Sequence, residues 1–165
     1  MRTTAVYPGT FDPPTNGHID LIIRGHAIFE KLIVAVADNS SKSTIFSIEE
    51  RVSMLSEATS DLQGVTVVSF SGLLVNYLQT LKARIIIRGL RAVSDFEYEL
   101  QLAHANRRMD SVVETIYMMP SEEFSFISSS LVKEIYSLGG EAKGLVPAPV
   151  DRALREKYSG SIKNK

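Results

Sequence analysis

The 165-residue sequence contains no cysteine, which excludes disulfides, thiolate metal sites and a cysteine nucleophile. No apolar run approaches the ~20 residues needed to span a bilayer, and the N-terminus lacks a signal-peptide pattern. A cytoplasmic, membrane-free setting is the default expectation. Neither a G-x-x-x-x-G-K-S/T loop nor a G-x-G-x-x-G after a strand is present, so the P-loop and dinucleotide fingerprints are both missing. An excess of charge of one sign is missing too: 18 Lys and Arg stand against 19 Asp and Glu, a net charge of −1. That balance argues against a general nucleic-acid binder.

What is present is ordinary for a soluble globular chain: 44% hydrophobic and 22% charged residues. The length suits one domain over 1–165, able to bury about two-thirds of its unfolded surface. The polar end, 159–165, is expected to fray. Apolar runs at 3–7, 32–37, 65–70, 84–88 and 113–119 predict strands. Helical patterns alternate with them: one marked by Ile19, Ile22, Ile23 and Phe29, then 72–82, 95–108, 128–138 and 149–158. Between the second and third strands, Ser47-Ile48-Glu49-Glu50 is a capping box that opens a helix through Arg51, Met54 and Ala58. Gly139-Gly140 stops the 128–138 helix. Alternating strands and helices call for a parallel sheet with right-handed crossovers. The continuous apolar runs at 32–37 and 85–87 fit a sheet covered on both faces.

The stretch Tyr7-Pro8-Gly9-Thr10-Phe11-Asp12-Pro13-Pro14-Thr15-Asn16-Gly17-His18 joins the first strand to the first helix. It delivers His18 to the first helical turn. Unpaired N–H groups and the positive end of the macrodipole make such a helix start an anion site. A second helix start, at Ser128, carries three consecutive serines, although a cap needs only one.

Gly-Thr-Phe-Asp followed by Thr-Asn-Gly-His resembles the His-x-Gly-His signature of the nucleotidylyltransferases. Three further segments agree in order and spacing: Arg88-Gly89-Leu90-Arg91, Asp95-Phe96-Glu97-Tyr98-Glu99, and Phe126-Ile127-Ser128-Ser129-Ser130-Leu131-Val132-Lys133. Together they resemble the bacterial phosphopantetheine adenylyltransferase family from about Thr4 to Tyr158. Thr15 stands where the wider superfamily has its first histidine. Ser130 and Lys133 replace the Thr and Arg of a Ser-Ser-Thr-x-x-Arg ending. Both departures look like the phosphopantetheine branch.

The resemblance implies a doubly wound, Rossmann-like five-stranded parallel sheet of order 3-2-1-4-5. Its crevice lies where strand order reverses, beyond the strands ending near Tyr7 and Arg88. It implies adenylyl transfer from ATP to 4′-phosphopantetheine, giving dephospho-coenzyme A and pyrophosphate. A phosphate dianion needs no general base, so positioning and charge stabilisation would carry the rate. By the same resemblance His18 stabilises the transition state, with Lys42, Arg88 and Arg91 beside it. Thr10, Lys42, Leu74 and Arg88 meet the acceptor. Thr10, Phe11, His18, Gly89, Leu90, Arg91, Glu99, and the run Phe124, Ser125, Phe126, Ile127, Ser128, Ser129, Ser130 surround ATP. Mg²⁺ is expected on the substrate phosphates, with no protein ligands. A homohexamer and inhibition by coenzyme A are family expectations.

Local sequence offers plainer roles for the same residues. Lys42 lies in a polar stretch where a lone lysine is ordinarily solvated, Leu74 suits a core, and Glu99 suits an exposed helix face. Arg91 could pair with Asp95 or Glu97, and Lys133 could sit on a helix face. Arg88 is different, since a cation closing a buried strand needs a partner. His26 and His104 read as structural or exposed. Competing functions are another small nucleotidylyltransferase, acting on nicotinamide mononucleotide or a sugar phosphate, a class I aminoacyl-tRNA synthetase fragment, and an ATP-binding regulatory module. The synthetase reading lacks its Lys-Met-Ser-Lys-Ser loop and basic surface.

Overall fold

The computed structural model describes residues 3–38, 43–91 and 93–159, with backbone alone at 93–95. Five strands, β1 (Thr4–Gly9), β2 (Lys31–Ala37), β3 (Val65–Phe70), β4 (Ile85–Gly89) and β5 (Glu114–Met118), form one sheet in the order β3-β2-β1-β4-β5. Every pairing is parallel. Helices α1 (Asn16–Ile28), α2 (Ile48–Ala58), α3 (Leu74–Leu81) and α4 (Val93–Met109) follow the first four strands in turn. A 3₁₀ turn (Glu122–Phe124), α5 (Ser129–Ser137) and α6 (Ala148–Tyr158) complete the chain. The expected order 3-2-1-4-5 is the observed one, and the expected boundaries hold to within about two residues; the 3₁₀ turn was not foreseen. The end of the expected frayed tail, 160–165, lies outside the described residues.

Side chains that alternate along a strand face opposite sides of a sheet. Ala5 and Tyr7 of β1, with Leu32, Val34 and Val36 of β2, join the core that contains Leu21 and Ile22 of α1 and Leu55 of α2. Val6, Ile33 and Ala35 turn the other way, to Leu78 of α3. Both faces are covered, so these strands read as continuous apolar runs. A third cluster joins Phe46 and Met54 to Val132, Val150 and Leu154, packing α5 and α6 against α2.

The register opens the crevice. β1 pairs with β2 as far as Gly9↔Val36, and β4 with β5 as far as Gly89↔Met118. β1 and β4 pair only at Ala5↔Ile85 and Val6↔Ile86. Beyond Val6 the two central strands therefore part, at the point where strand order reverses and α/β sheets hold ligands.

Candidate active site

A crevice of about 530 Å³ occupies this gap. The β1–α1 loop forms its floor and is held by buried bonds. Phe11 adopts a left-handed backbone (φ 52°), a conformation costly for a large side chain and typical of functional loops. Its ring lies edge-on to Tyr7 and to His18, with centroids 5.4 and 5.0 Å away. Position 9 must be glycine, because a Cβ there would come within 2.8 Å of the Phe11 ring. Buried Arg51, on α2, gathers the carbonyls around the loop. Its Nη1 donates to Thr10 O (2.8 Å) and Ala37 O (3.0 Å), and its Nε to Phe46 O and Ser47 O.

His18 is the third residue of α1, whose N-cap is Thr15. The Thr15 backbone N–H donates to His18 Nδ1 at 3.0 Å, and the His18 N–H points back at Thr15 Oγ1. This is a capping box with histidine in the place of glutamate. A backbone N–H can only donate, so Nδ1 is unprotonated and the ring proton sits on Nε2. Burial, reinforced by the charge of Arg91, pushes the imidazole pKa down to about 4. His18 is thus a neutral donor, with its Nε2–H as the one polar edge left for a ligand.

Arg88 is held in the opposite manner. Its Nε and Nη2 donate to the two oxygens of Glu99 (2.6 and 2.5 Å), and Nη1 donates to Pro8 O at 3.0 Å. Burial works against its charge, but the Glu99 carboxylate more than offsets this and raises the arginine pKa. Glu99 itself is only 8% exposed, which corrects the reading of it as an exposed helix carboxylate. Its backbone oxygen accepts from Tyr117 Oη at 2.8 Å.

The residues expected around ATP arrive from β4 and from the segment before α5. Gly89 lines the crevice, where a Cβ would strike Leu21 Cδ1 at 2.6 Å. Arg91 lines it too and donates to Ile127 O at 3.3 Å. The serines divide their work. Ser128 Oγ caps α5 by accepting from Leu131 N, and Ser129 Oγ donates to Pro13 O. Ser130, in the first turn of α5, lines the crevice. Thr10, Phe11, Phe124 and Ile127 also line it.

Four assigned residues stand apart from the crevice lining. Leu90 donates its N–H to Met118 O, Ser125 Oγ donates to Glu122 O, and Phe126 is 62% exposed. Leu74 opens α3 and packs on the core around Leu78. Lys42 lies outside the described residues. His104 is exposed, as expected, and His26 keeps its Nδ1 buried without a partner.

Sequence reasoning missed the groups that hold the site. Asp12 accepts from Ile45 N, Phe46 N and Lys133 Nζ. Arg51 falls at helical spacing with apolar Met54 and Leu55, and a cation on an apolar face was the available signal. Asp20 accepts from Ser121 N (2.9 Å) and Ser121 Oγ (2.7 Å), fastening the start of the 120s segment to α1.

A sheet parting beside a helix start, with a neutral histidine and a carboxylate-braced arginine, suits phosphoryl chemistry on a nucleotide. A family model described as cytidylyltransferase-like matches residues 6–135, and the chain is a nucleotidyltransferase of that family. A structure from Vibrio parahaemolyticus described as a nicotinate-nucleotide adenylyltransferase superposes with a TM-score of 0.69, covering 93% of this chain and 99% of that one. At 16% identity that likeness shows the fold alone. Closer relatives decide the branch. The phosphopantetheine adenylyltransferase of Thermodesulfovibrio yellowstonii is 59% identical over 159 residues, covering 96% of this chain and 99% of the relative. Those of Nautilia profundicola (53%; 93% and 100% covered) and Moorella thermoacetica (52%; 93% and 96%) agree. The chain belongs to the phosphopantetheine adenylyltransferase family.

Proposed function

We propose that the chain transfers the adenylyl group of ATP to 4′-phosphopantetheine by direct in-line attack, a step of coenzyme A biosynthesis. An oxygen of the acceptor phosphate forms a bond to the α-phosphorus. The bond from that phosphorus to the bridging oxygen breaks, and pyrophosphate leaves with the electron pair. The observation that carries this reading is the state of His18: fixed by Thr15, neutral, with Nε2–H available to an α-phosphate oxygen. A preorganised donor of this kind stabilises developing charge without reorganising. Arg88, braced by Glu99, offers its remaining N–H groups to the acceptor phosphate, with Lys42 and Thr10 as its companions. Arg91, Gly89 and the start of α5 receive the nucleotide phosphates. In this reading Leu74 meets the pantetheine arm.

Mg²⁺ would be held by the ATP phosphates, where it would offset their charge. The crevice carboxylates Asp12 and Glu99 are each paired with a cation, Lys133 and Arg88, which favours this source. A cytoplasmic setting is part of the same proposal, since both substrates are cytoplasmic metabolites in this reading. Separately, among the described residues no helix is long and apolar enough to cross a membrane.

Assembly as a homo-oligomer, a hexamer by family resemblance, is supported by the apolar flank of α4 and β5. Phe96, Leu100, Val112, Ile116 and Met119 are all exposed there. Coenzyme A, which shares the pantetheine arm, is the expected inhibitor.

With Mg²⁺ and ATP, pyrophosphate release should depend on 4′-phosphopantetheine. Equal turnover with nicotinamide mononucleotide would overturn the assignment. ATP binding without turnover would return the chain to a regulatory role. Direct transfer predicts inversion at the α-phosphorus and no acceptor-free exchange of labelled pyrophosphate into ATP; net retention would indicate an adenylyl-histidine.

A further inference from the structure

Asp12 is a charged group, 5% exposed, that the transfer chemistry leaves without a task. Its Oδ1 accepts the Phe46 N–H at 3.0 Å. Its Oδ2 accepts the Ile45 N–H at 3.1 Å and pairs with Lys133 Nζ at 3.0 Å. These partners come from two separate parts of the crevice. Ile45 and Phe46 follow Ser43 and Thr44, which line the crevice after β2. Lys133 rises from α5, one turn beyond the serine-rich helix start. Asp12 itself sits in the loop between Thr10 and Thr15, the N-cap that fixes His18. One carboxylate therefore ties together three segments that must meet around two substrates.

We propose that Asp12, with Lys133 as its counter-charge, is a positioning residue for adenylyl transfer. It fixes the 43–46 segment and the α5 start to the loop that carries His18. In-line attack requires both phosphates to be held near contact distance, and small misplacements cost large factors in rate. The inference rests on the adenylyl-transfer reading of this crevice. An aspartate is needed because the site presents donors to both oxygens. An asparagine keeps one acceptor oxygen and turns its NH₂ toward either the Phe46 N–H or the Ile45 N–H and Lys133 ammonium.

The test compares Asp12→Asn, Lys133→Met and Lys133→Arg with the wild type in full-length protein. Asp12→Asn should lower kcat by about ten- to a hundredfold and raise the KM for 4′-phosphopantetheine, with a smaller rise in the KM for ATP because the α5 start is loosened too. Lys133→Met should move kcat in the same direction, and Lys133→Arg should restore most of it. Hydrogen exchange at the Ile45 and Phe46 amides should accelerate in Asp12→Asn while the strand amides stay protected. Wild-type kcat and acceptor KM in a folded Asp12→Asn would overturn the proposal. Equal loss of ATP affinity and acceptor use, tracking a general loss of exchange protection, would do the same. Should Asp12→Asn fail to fold, the lysine pair decides: a Lys133→Met enzyme as fast as the wild type, or an Lys133→Arg enzyme as slow as Lys133→Met, refutes it. A wild type with no acceptor-dependent turnover would instead refute the adenylyl-transfer reading. The exchange rates of the Ile45 and Phe46 amides would then still report whether Asp12 holds the segment.

Discussion

The β1–α1 loop lines the crevice, and α4 reaches it through Tyr98 and Glu99 while also carrying part of the apolar α4–β5 flank; loop and flank are built on opposite terms. In the loop almost every polar group is committed: Asp12 to Lys133 and two amides, Thr15 to His18, and the Thr10 carbonyl to Arg51. Along the flank, large apolar side chains such as Met119 (69% exposed) and Val112 (50%) face outward. The loop spends its interactions on fixing a geometry inside one chain. The flank keeps apolar surface unspent, as an edge strand does when another element is to cover it. Substitutions in the loop should therefore act on rate, and those on the flank should act on assembly.

The sharpest contrast is expected at His18. His18→Ala should lower kcat about 10²–10³-fold, as for loss of one preorganised donor. It should cost only about 1 kcal/mol of stability, from the lost half of the capping box. Turnover and thermal unfolding measured on one preparation check both parts. Arg88→Ala comes next. Acceptor KM should rise about ten- to a hundredfold, because charge-assisted contacts to phosphate are lost and Glu99 is left buried without its partner. Arg91→Ala should weaken ATP binding instead, and an unchanged ATP affinity would break that division of labour.

Smaller effects test the contrast from its edges. Thr15→Ala should destabilise the fold by about 1 kcal/mol through loss of the N-cap oxygen. The His18 tautomer should survive, since the backbone N–H that fixes it remains. On the flank, Met119→Asp should leave folding within about 0.5 kcal/mol while shifting sedimentation toward smaller species. A loss of turnover without a change in assembly would show that the flank serves the crevice directly.

Much of this architecture was legible beforehand because it rests on local rules. The apolar runs of β2 and β4 are continuous because both sheet faces are covered. The Ser47–Glu50 capping box appears as read, with Glu50 N to Ser47 Oγ at 3.2 Å and Ser47 N to Glu50 Oε2 at 2.7 Å. What escaped is tertiary. Glu99 looks like a surface carboxylate until α4 folds back and sets it on Arg88, 11 residues earlier in the chain. Asp12 could be quoted as part of a signature but not assigned, because its partners lie 33 to 121 residues away. Three serines signalled function, yet only the fold shows that Ser129 ties the helix to Pro13. Residues after β5 were read as a single block, although the 3₁₀ turn leaves Phe126 pointing to solvent while Ile127 is buried.

The central claim is that His18 works as a neutral donor fixed by its own helix cap, and ring-nitrogen NMR of histidine-labelled protein tests it directly. With a pKa near 4, the ring stays uncharged from pH 8 down to about 5. Because the folded pKa lies below the unfolded value of about 6.5, the unfolded chain binds more protons between those limits. Stability should therefore fall, by up to about 3 kcal/mol, as pH drops from 6.5 to 4. The account predicts an Nε2-protonated His18 with an unprotonated, hydrogen-bonded Nδ1, and no titration above pH 5. A His18 that titrates near 6.5, or one that carries its proton on Nδ1, would contradict it.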